Sequence, residues 1–178
     1  MKAVFLDKDG SLADELPCKR GPDRITLRNG ADAALRLLSR LDYRLFVVTD
    51  RAGAPDMEAV HDRLRDLLSR ERLTLDGFYC CPHRPERGIG ARDCHCRKPM
   101  PGLLLQAAHE HGIDLRASWM IGDILHDVEA GNRAGCRTVL LDKGSETEWR
   151  LGPRRIPTRM APDLYAAAVL IASHGDIA

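Results

Sequence analysis

The chain has 178 residues, with 27 lysines and arginines against 26 aspartates and glutamates and a formal net charge of +1. That length suits one domain, residues 1–178, able to bury a sizeable core without disulfides or metal. The near balance of charge excludes a strong overall field toward nucleic acid or an anionic membrane, while leaving room for a local basic pocket.

Ala3 to Leu6 is an apolar run stopped by Asp7-Lys8-Asp9-Gly10, which reads as a buried strand breaking into a turn. It is far too short for the core of a secretory leader, and no later apolar run approaches a membrane span, so a cytoplasmic protein is expected. Ala34, Leu35, Leu37, Leu38 and Leu41 follow helical spacing, and Leu45 to Val48 form a second buried strand ending at Thr49-Asp50. A further helix follows Pro55, and Gly77 to Cys80 form a weaker strand leading into a loop rich in cysteine and histidine. Pro101 to His111 read as a helix with Pro at its start and Gly112 past its end. Trp119 to Ile121 form a strand closed by Gly122-Asp123, a helix covers Asp127 to Ala134, and Thr138 to Leu141 add one more strand. Residues 143–160, polar and broken by Gly and Pro, are expected as a loop before a terminal helix from Asp163 to Ser173.

Alternation of strand and helix predicts a doubly wound α/β fold with a mostly parallel sheet, in which ligands bind at the carboxyl ends of the strands. Three predicted strands end in polar residues: Asp7 and Asp9, Thr49 and Asp50, Gly122 and Asp123. Any one such carboxylate would read as an ordinary loop residue, but three on one rim point to a site. Paired aspartates suit phosphoryl transfer, one attacking phosphorus to form an aspartyl-phosphate and the other serving as acid and base. The negative charge so gathered calls for Mg²⁺ on hard oxygen ligands, with Asp123 as the third carboxylate. Thr49 and Lys98 would meet the phosphoryl oxygens.

Asp7-Lys8-Asp9-Gly10-Ser11 after a strand, Thr49 at the second strand end, Lys98 before a proline and Gly122-Asp123 to Asp127 together resemble, in order, the four motifs of the haloacid dehalogenase (HAD) superfamily. The resemblance covers Phe5 to about Leu141 and implies Asp7 as nucleophile and Mg²⁺ ligand, Asp9 as acid/base and Mg²⁺ ligand, Thr49 and Lys98 as phosphate ligands, and Asp123 on the metal. Asp127 is open to three readings: support for the metal, orientation of Lys98, or a charge favoured at a helix N-terminus.

Within Cys80 to Pro99 stand four of the six cysteines and two of the seven histidines. Cys81, His83, Cys94 and Cys96 give four N/S donors, a set that suits tetrahedral Zn²⁺ in a structural site. In a reducing compartment metal is favoured over a disulfide. Cys80 reads as a strand residue, and His95 would point away from its neighbours in an extended segment. Because Arg97 and Lys98 directly follow Cys96, fixing the loop fixes where both cations project.

The stretches FLDKDGS, CPHRP and CHCRKP are similar to the zinc-containing branch of the superfamily that holds the D-glycero-D-manno-heptose-1,7-bisphosphate 7-phosphatases, with histidinol-phosphate phosphatases as near relatives. The resemblance implies removal of the 7-phosphate from the heptose bisphosphate, as a step toward cell-envelope precursors, with Arg97 on the second phosphate. Ser11, Asp50 and Arg51 are expected around the substrate, possible company for Arg97 being Arg51 or Lys19. The chain departs from the branch where Thr49-Asp50-Arg51 replaces the usual Thr-Asn-Gln, and where Glu15 to Lys19 lack its His-Gly-Tyr pattern. No interval is long enough for a cap domain, so the expected site is open and the substrate a small sugar phosphate met by loops. The alternatives are a phosphatase for histidinol phosphate or another sugar phosphate, and an inactive zinc-bearing binding protein. A nucleic-acid role is disfavoured by charge and by few aromatics, and a monomer is expected.

Overall fold

Both faces of the first strand are apolar, and the sheet built around it is covered on both sides. In the computed structural model, residues 1–14, 21–49, 57–83, 94–144, 146, 149–150 and 152–174 are described. The elements run β1 (Ala3–Asp7), α1 (Ala31–Arg40), β2 (Arg44–Thr49), α2 (Met57–Arg70), β3 (Gly77–Cys80), α3 (Gly102–His111), β4 (Trp119–Gly122), α4 (Leu125–Ala134), β5 (Arg137–Leu141), β6 (Arg159–Ala161) and α5 (Leu164–His174). The six strands form one sheet in the order β3-β2-β1-β4-β5-β6, and every neighbouring pair is parallel.

The period of two along each strand sorts the side chains between two cores. Val4 and Leu6, with Leu45, Val47 and Ile121, pack under Leu35, Leu38, Leu64 and Ile171 from α1, α2 and α5. On the opposite face Phe5, Phe46 and Met120 pack against Leu103, Leu104 and Ala130 from α3 and α4. Phe5 and Phe46 lie with ring centroids 5.7 Å apart, and truncating either to alanine is expected to cost about 3–5 kcal/mol. The near-continuous apolar strands seen in the sequence are thus those of a sheet buried on both faces.

Two sequence expectations are revised. Residues 143–160 were expected as loop, yet their end enters β6, whose residues pair Arg159 with Val139 and Ala161 with Leu141. The strand is three residues long with two of them exposed, too short to show a period. Its entry is fixed by a reciprocal pair, the Thr138 N–H donating to Thr158 Oγ1 at 3.0 Å and the Thr158 N–H donating to Thr138 Oγ1 at 3.1 Å. Helix α4 starts at Leu125 rather than Asp127, because Asp127 stands at the third helical position and its side chain reaches back to accept the N–H of Ile124, the residue before the helix.

The intervals after β1 (8–30) and after β2 (50–56) leave no room for an inserted domain. Among the described residues no helix is long and apolar enough to cross a membrane.

Candidate active site

The strand order reverses between β1 and β4, since β2 and β3 lie to one side of β1 and β4 to β6 to the other. Such a switch point opens a crevice beyond the carboxyl ends of the two strands. Leu6 pairs with Ile121, so Asp7 at the tip of β1 and Asp123 just past the tip of β4 stand on adjacent strand ends.

Lys98 reaches this crevice from the loop before α3 and is 3% exposed. Its ammonium donates to Asp7 Oδ1 and, at 2.6 Å, to Asp127 Oδ1. The other oxygen of Asp127 accepts the N–H groups of Asp123 at 3.1 Å and Ile124 at 3.2 Å. Two of the three roles open to Asp127 are therefore filled by one side chain: it orients Lys98 and caps the N-terminus of α4, where the helix dipole favours its charge.

Asp7, Asp123 and Asp127 each bring a carboxylate oxygen within 4.8 Å of the others. Burial pushes the Asp7 carboxyl up to about 8; Lys98 opposes this, and Asp127 and Asp123 add to it. Burial likewise raises Asp127 against the pull of Lys98. Three buried carboxylates that face two ammonium groups still carry the larger charge, and with only hard oxygen donors they fit a Mg²⁺ ion. Asp9, expected beside Asp7 and Asp123, stands outside this triplet, its carboxylate accepting the ammonium of the buried Lys8.

Gly10 turns the chain directly after Asp9 with φ +76°, and the turn is closed by its N–H donating to the Ala13 carbonyl at 2.8 Å. Ser11 lies fully buried in that turn, and among the described residues its hydroxyl has no hydrogen-bond partner, an orphan that a phosphoryl or water oxygen would satisfy. Thr49 is buried at the tip of β2, where its carbonyl accepts the Cys81 N–H at 3.0 Å. Asp50, Arg51 and Lys19 lie outside the described residues.

The four expected zinc ligands converge. Sγ of Cys81 is 3.3 Å from that of Cys94 and 3.3 Å from that of Cys96, with Cys94 and Cys96 3.4 Å apart. His83 Nδ1 stands 3.7 Å from Cys81 Sγ and 3.2 Å from Cys96 Sγ. A tetrahedral zinc with Zn–S near 2.3 Å has ligand-to-ligand edges of about 3.8 Å, so the donors stand close to the apices of its shell. Burial works to raise Cys94, yet hydrogen bonds from the Cys81 and Cys96 thiols outweigh it and bring Cys94 down to about 7. Burial and the contacts with the Cys81 and Cys94 thiols push Cys96 up to about 12. Three thiols and one imidazole brought this close fit Zn²⁺, which would hold all three sulfurs as thiolates.

His95 takes no part in the cluster; its carbonyl accepts the Gly102 N–H at 2.9 Å and so ties the loop to α3. Cys80 belongs to β3. Arg97 donates to the His83 carbonyl, linking the cluster to the segment that carries Lys98. Lys143 was missed in the sequence. Its Nζ lies 3.1 Å from Asp123 Oδ2, and the clue was its place just past β5, the next strand along the same rim.

A family model described as HAD-hydrolase-like matches residues 95–167. The chain is 37% identical over 150 residues to the D-glycero-beta-D-manno-heptose-1,7-bisphosphate 7-phosphatase of Pasteurella multocida, covering 80% of this chain and 82% of that one. It is 30% identical over 178 residues to the enzyme of the same name from Bordetella bronchiseptica, covering 94% and 96%. The crystal structure of D,D-heptose 1,7-bisphosphate phosphatase from B. bronchiseptica, complexed with magnesium and phosphate, superposes with a TM-score of 0.77 at 26% identity, over 98% of this chain and 99% of that one.

Proposed function

We propose, on the premise that this chain belongs to the family of D-glycero-β-D-manno-heptose-1,7-bisphosphate 7-phosphatases among the HAD-like hydrolases, that it removes the 7-phosphate of that heptose bisphosphate. The reaction class is phosphomonoester hydrolysis. One observation carries the reading: the buried ammonium of Lys98 held between Asp7 and Asp127 at the switch point of the sheet.

Asp7 attacks phosphorus through a carboxylate oxygen while the bond from phosphorus to the C7 oxygen breaks, and Asp9 gives its proton to that leaving oxygen. Asp9 then takes a proton from the water that attacks the aspartyl-phosphate, which releases inorganic phosphate and restores the Asp7 carboxylate. Lys98, Thr49 and Ser11 meet the phosphoryl oxygens, and Lys98, already desolvated and oriented by Asp127, needs no reorganisation as charge develops. Bound Mg²⁺, held by the carboxylates of Asp7 and Asp123, would neutralise charge on the transferring group. The magnesium in the related crystal structure supports that choice.

Zn²⁺ on Cys81, His83, Cys94 and Cys96 would act structurally, fixing the loop from which Lys98 enters the crevice and Arg97 meets the distal phosphate. Asp50 and Arg51, which follow Thr49 in the chain, are the further residues we assign to substrate binding. We further infer one domain, a monomer and a cytoplasmic setting suited to reduced zinc thiolates, with the product supplying cell-envelope heptose.

The test is phosphate release with Mg²⁺ from both anomers of D-glycero-D-manno-heptose 1,7-bisphosphate, histidinol phosphate and several sugar monophosphates, with Asp7→Asn as blank. A heptose bisphosphate preferred by orders of magnitude is expected. Weak activity spread evenly over the panel would overturn the substrate, and activity retained by Asp7→Asn would overturn the covalent route.

A further inference from the structure

The phosphate chemistry asks for one lysine, yet among the described residues three meet the carboxylates of this rim. Lys8 serves Asp9, Lys98 serves Asp7 and Asp127, and Lys143 serves Asp123. Lys143 comes from a separate element, two residues beyond the end of β5, where its N–H donates to the Leu141 carbonyl at 3.1 Å in a tight turn. Its side chain is 15% exposed and that of Asp123 10%, with Nζ and Oδ2 3.1 Å apart.

The fit around this ammonium is close. A Cβ added at Gly10 would lie 2.6 Å from Lys143 Nζ and would overlap Asp123 Oδ2. The cation is thus wedged between the turn after Asp9 and the carboxylate proposed to take the metal. A carboxylate oxygen facing an ammonium at hydrogen-bond distance has part of its electron density committed, and a divalent ion must displace that contact to use the same lone pairs.

We propose that Lys143 is a resident counter-cation of Asp123 that competes with Mg²⁺. It neutralises Asp123 in the metal-free protein, is released when the metal is taken, and so sets the metal affinity. The proposal rests on the reading of Asp123 as a Mg²⁺ ligand. Lys143 acts on the reaction through Asp123 and is a positioning residue, so a readout other than turnover is needed. A merely structural lysine would leave metal affinity unchanged or weaken it when lost, whereas a competitor would make it tighter.

The experiment is calorimetric titration of Mg²⁺ into chelator-treated wild type, Lys143→Met, Lys143→Arg and Asp123→Asn, without substrate. Lys143→Met is expected to bind about tenfold tighter, and Lys143→Arg to stay near wild type because the charge is kept. Melting should agree, with Lys143→Met less stable in chelator and gaining more from saturating Mg²⁺ than wild type gains. Should Lys143→Met fail to fold, Lys143→Gln carries the same expectation. Equal or weaker Mg²⁺ binding by the neutral variant, with wild type binding normally and Asp123→Asn not, overturns the competition alone. Wild type that takes up no Mg²⁺, or Asp123→Asn that binds as wild type does, overturns the ligand reading together with it.

Discussion

Replacing Asp127 by asparagine preserves the shape of the side chain and changes one interaction. The remaining carbonyl oxygen still accepts from the Asp123 and Ile124 amides, but an NH₂ group then faces the Lys98 ammonium. Lys98, 3% exposed, keeps Asp7 as a partner and loses the other carboxylate. Breaking a buried pair from one side typically costs about 3–5 kcal/mol. The retained contact with Asp7 and the relief of desolvating Asp127 bring this to about 2–3 kcal/mol. Held by Asp7 alone, Lys98 also binds the nucleophile more tightly and is less free to meet the phosphoryl group. A comparable loss in the transition state lowers kcat by about a hundredfold. Asp127→Ala should lose about 1 kcal/mol more stability, because it also strips the cap from α4. Urea unfolding at pH 7 in chelator measures the stability, and steady-state phosphate release with saturating Mg²⁺ measures the rate. Asp127→Asn within 0.5 kcal/mol and twofold of wild type, at the ~1.4 kcal/mol per decade conversion, would refute the argument that Lys98 depends on both carboxylates.

Cys94→Ser should reduce the zinc bound per chain, read by elemental analysis, and lower kcat by loosening Lys98; unchanged zinc content would show the ligand set to be wrong. Gly102→Ala opposes two effects. Alanine favours helix α3 by about 0.8–1 kcal/mol, but its Cβ would overlap the His95 carbonyl and lie 2.9 Å from Cys96 Cα. Faster chelator-driven zinc release is therefore expected, and a more stable protein with unchanged release would count against the packing argument. Glu129 binds Arg133 through Oε1 at 2.6 Å and Arg155 through Oε2 at 2.6 Å. Burial works to raise its carboxyl, but the two arginines outweigh it and hold it below the ordinary range. A folded-state pKa below the unfolded one contributes stability that is full above the unfolded value and lost as pH falls through the folded value. The stability gap between wild type and Glu129→Gln should therefore be widest near neutrality and close as pH falls below the ordinary glutamate range in unfolding curves; a gap independent of pH would show that the charge is not what matters.

The amino-acid sequence by itself determined the α/β class, because apolar runs such as Ala3–Leu6 and Leu45–Val48 can be satisfied only by strands buried on both faces, and helical periods alternate with them. It also marked Asp7, Thr49, Lys98 and Asp123 as a candidate site, since turn residues that follow buried strands of a parallel sheet share one rim. The cysteine and histidine spacing, with its chemically distinctive donors, was legible in the same way. Tertiary structure decided which partners meet. Lys98 lies between Asp7 and Asp127, residues distant from it in the chain, and the Asp9 carboxylate turns to Lys8 instead of joining Asp7 and Asp123. Lys143 stood in a polar stretch that resembled any loop, and it joined the rim only because β5 lies beside β4. Strand β6 was equally hidden, its three residues held by parallel pairing with β5 and the exchange between Thr138 and Thr158. The physical reason is one of range: burial and periodicity act between near neighbours and are written in short stretches, whereas an ion pair across a crevice depends on strand order, which no single stretch encodes.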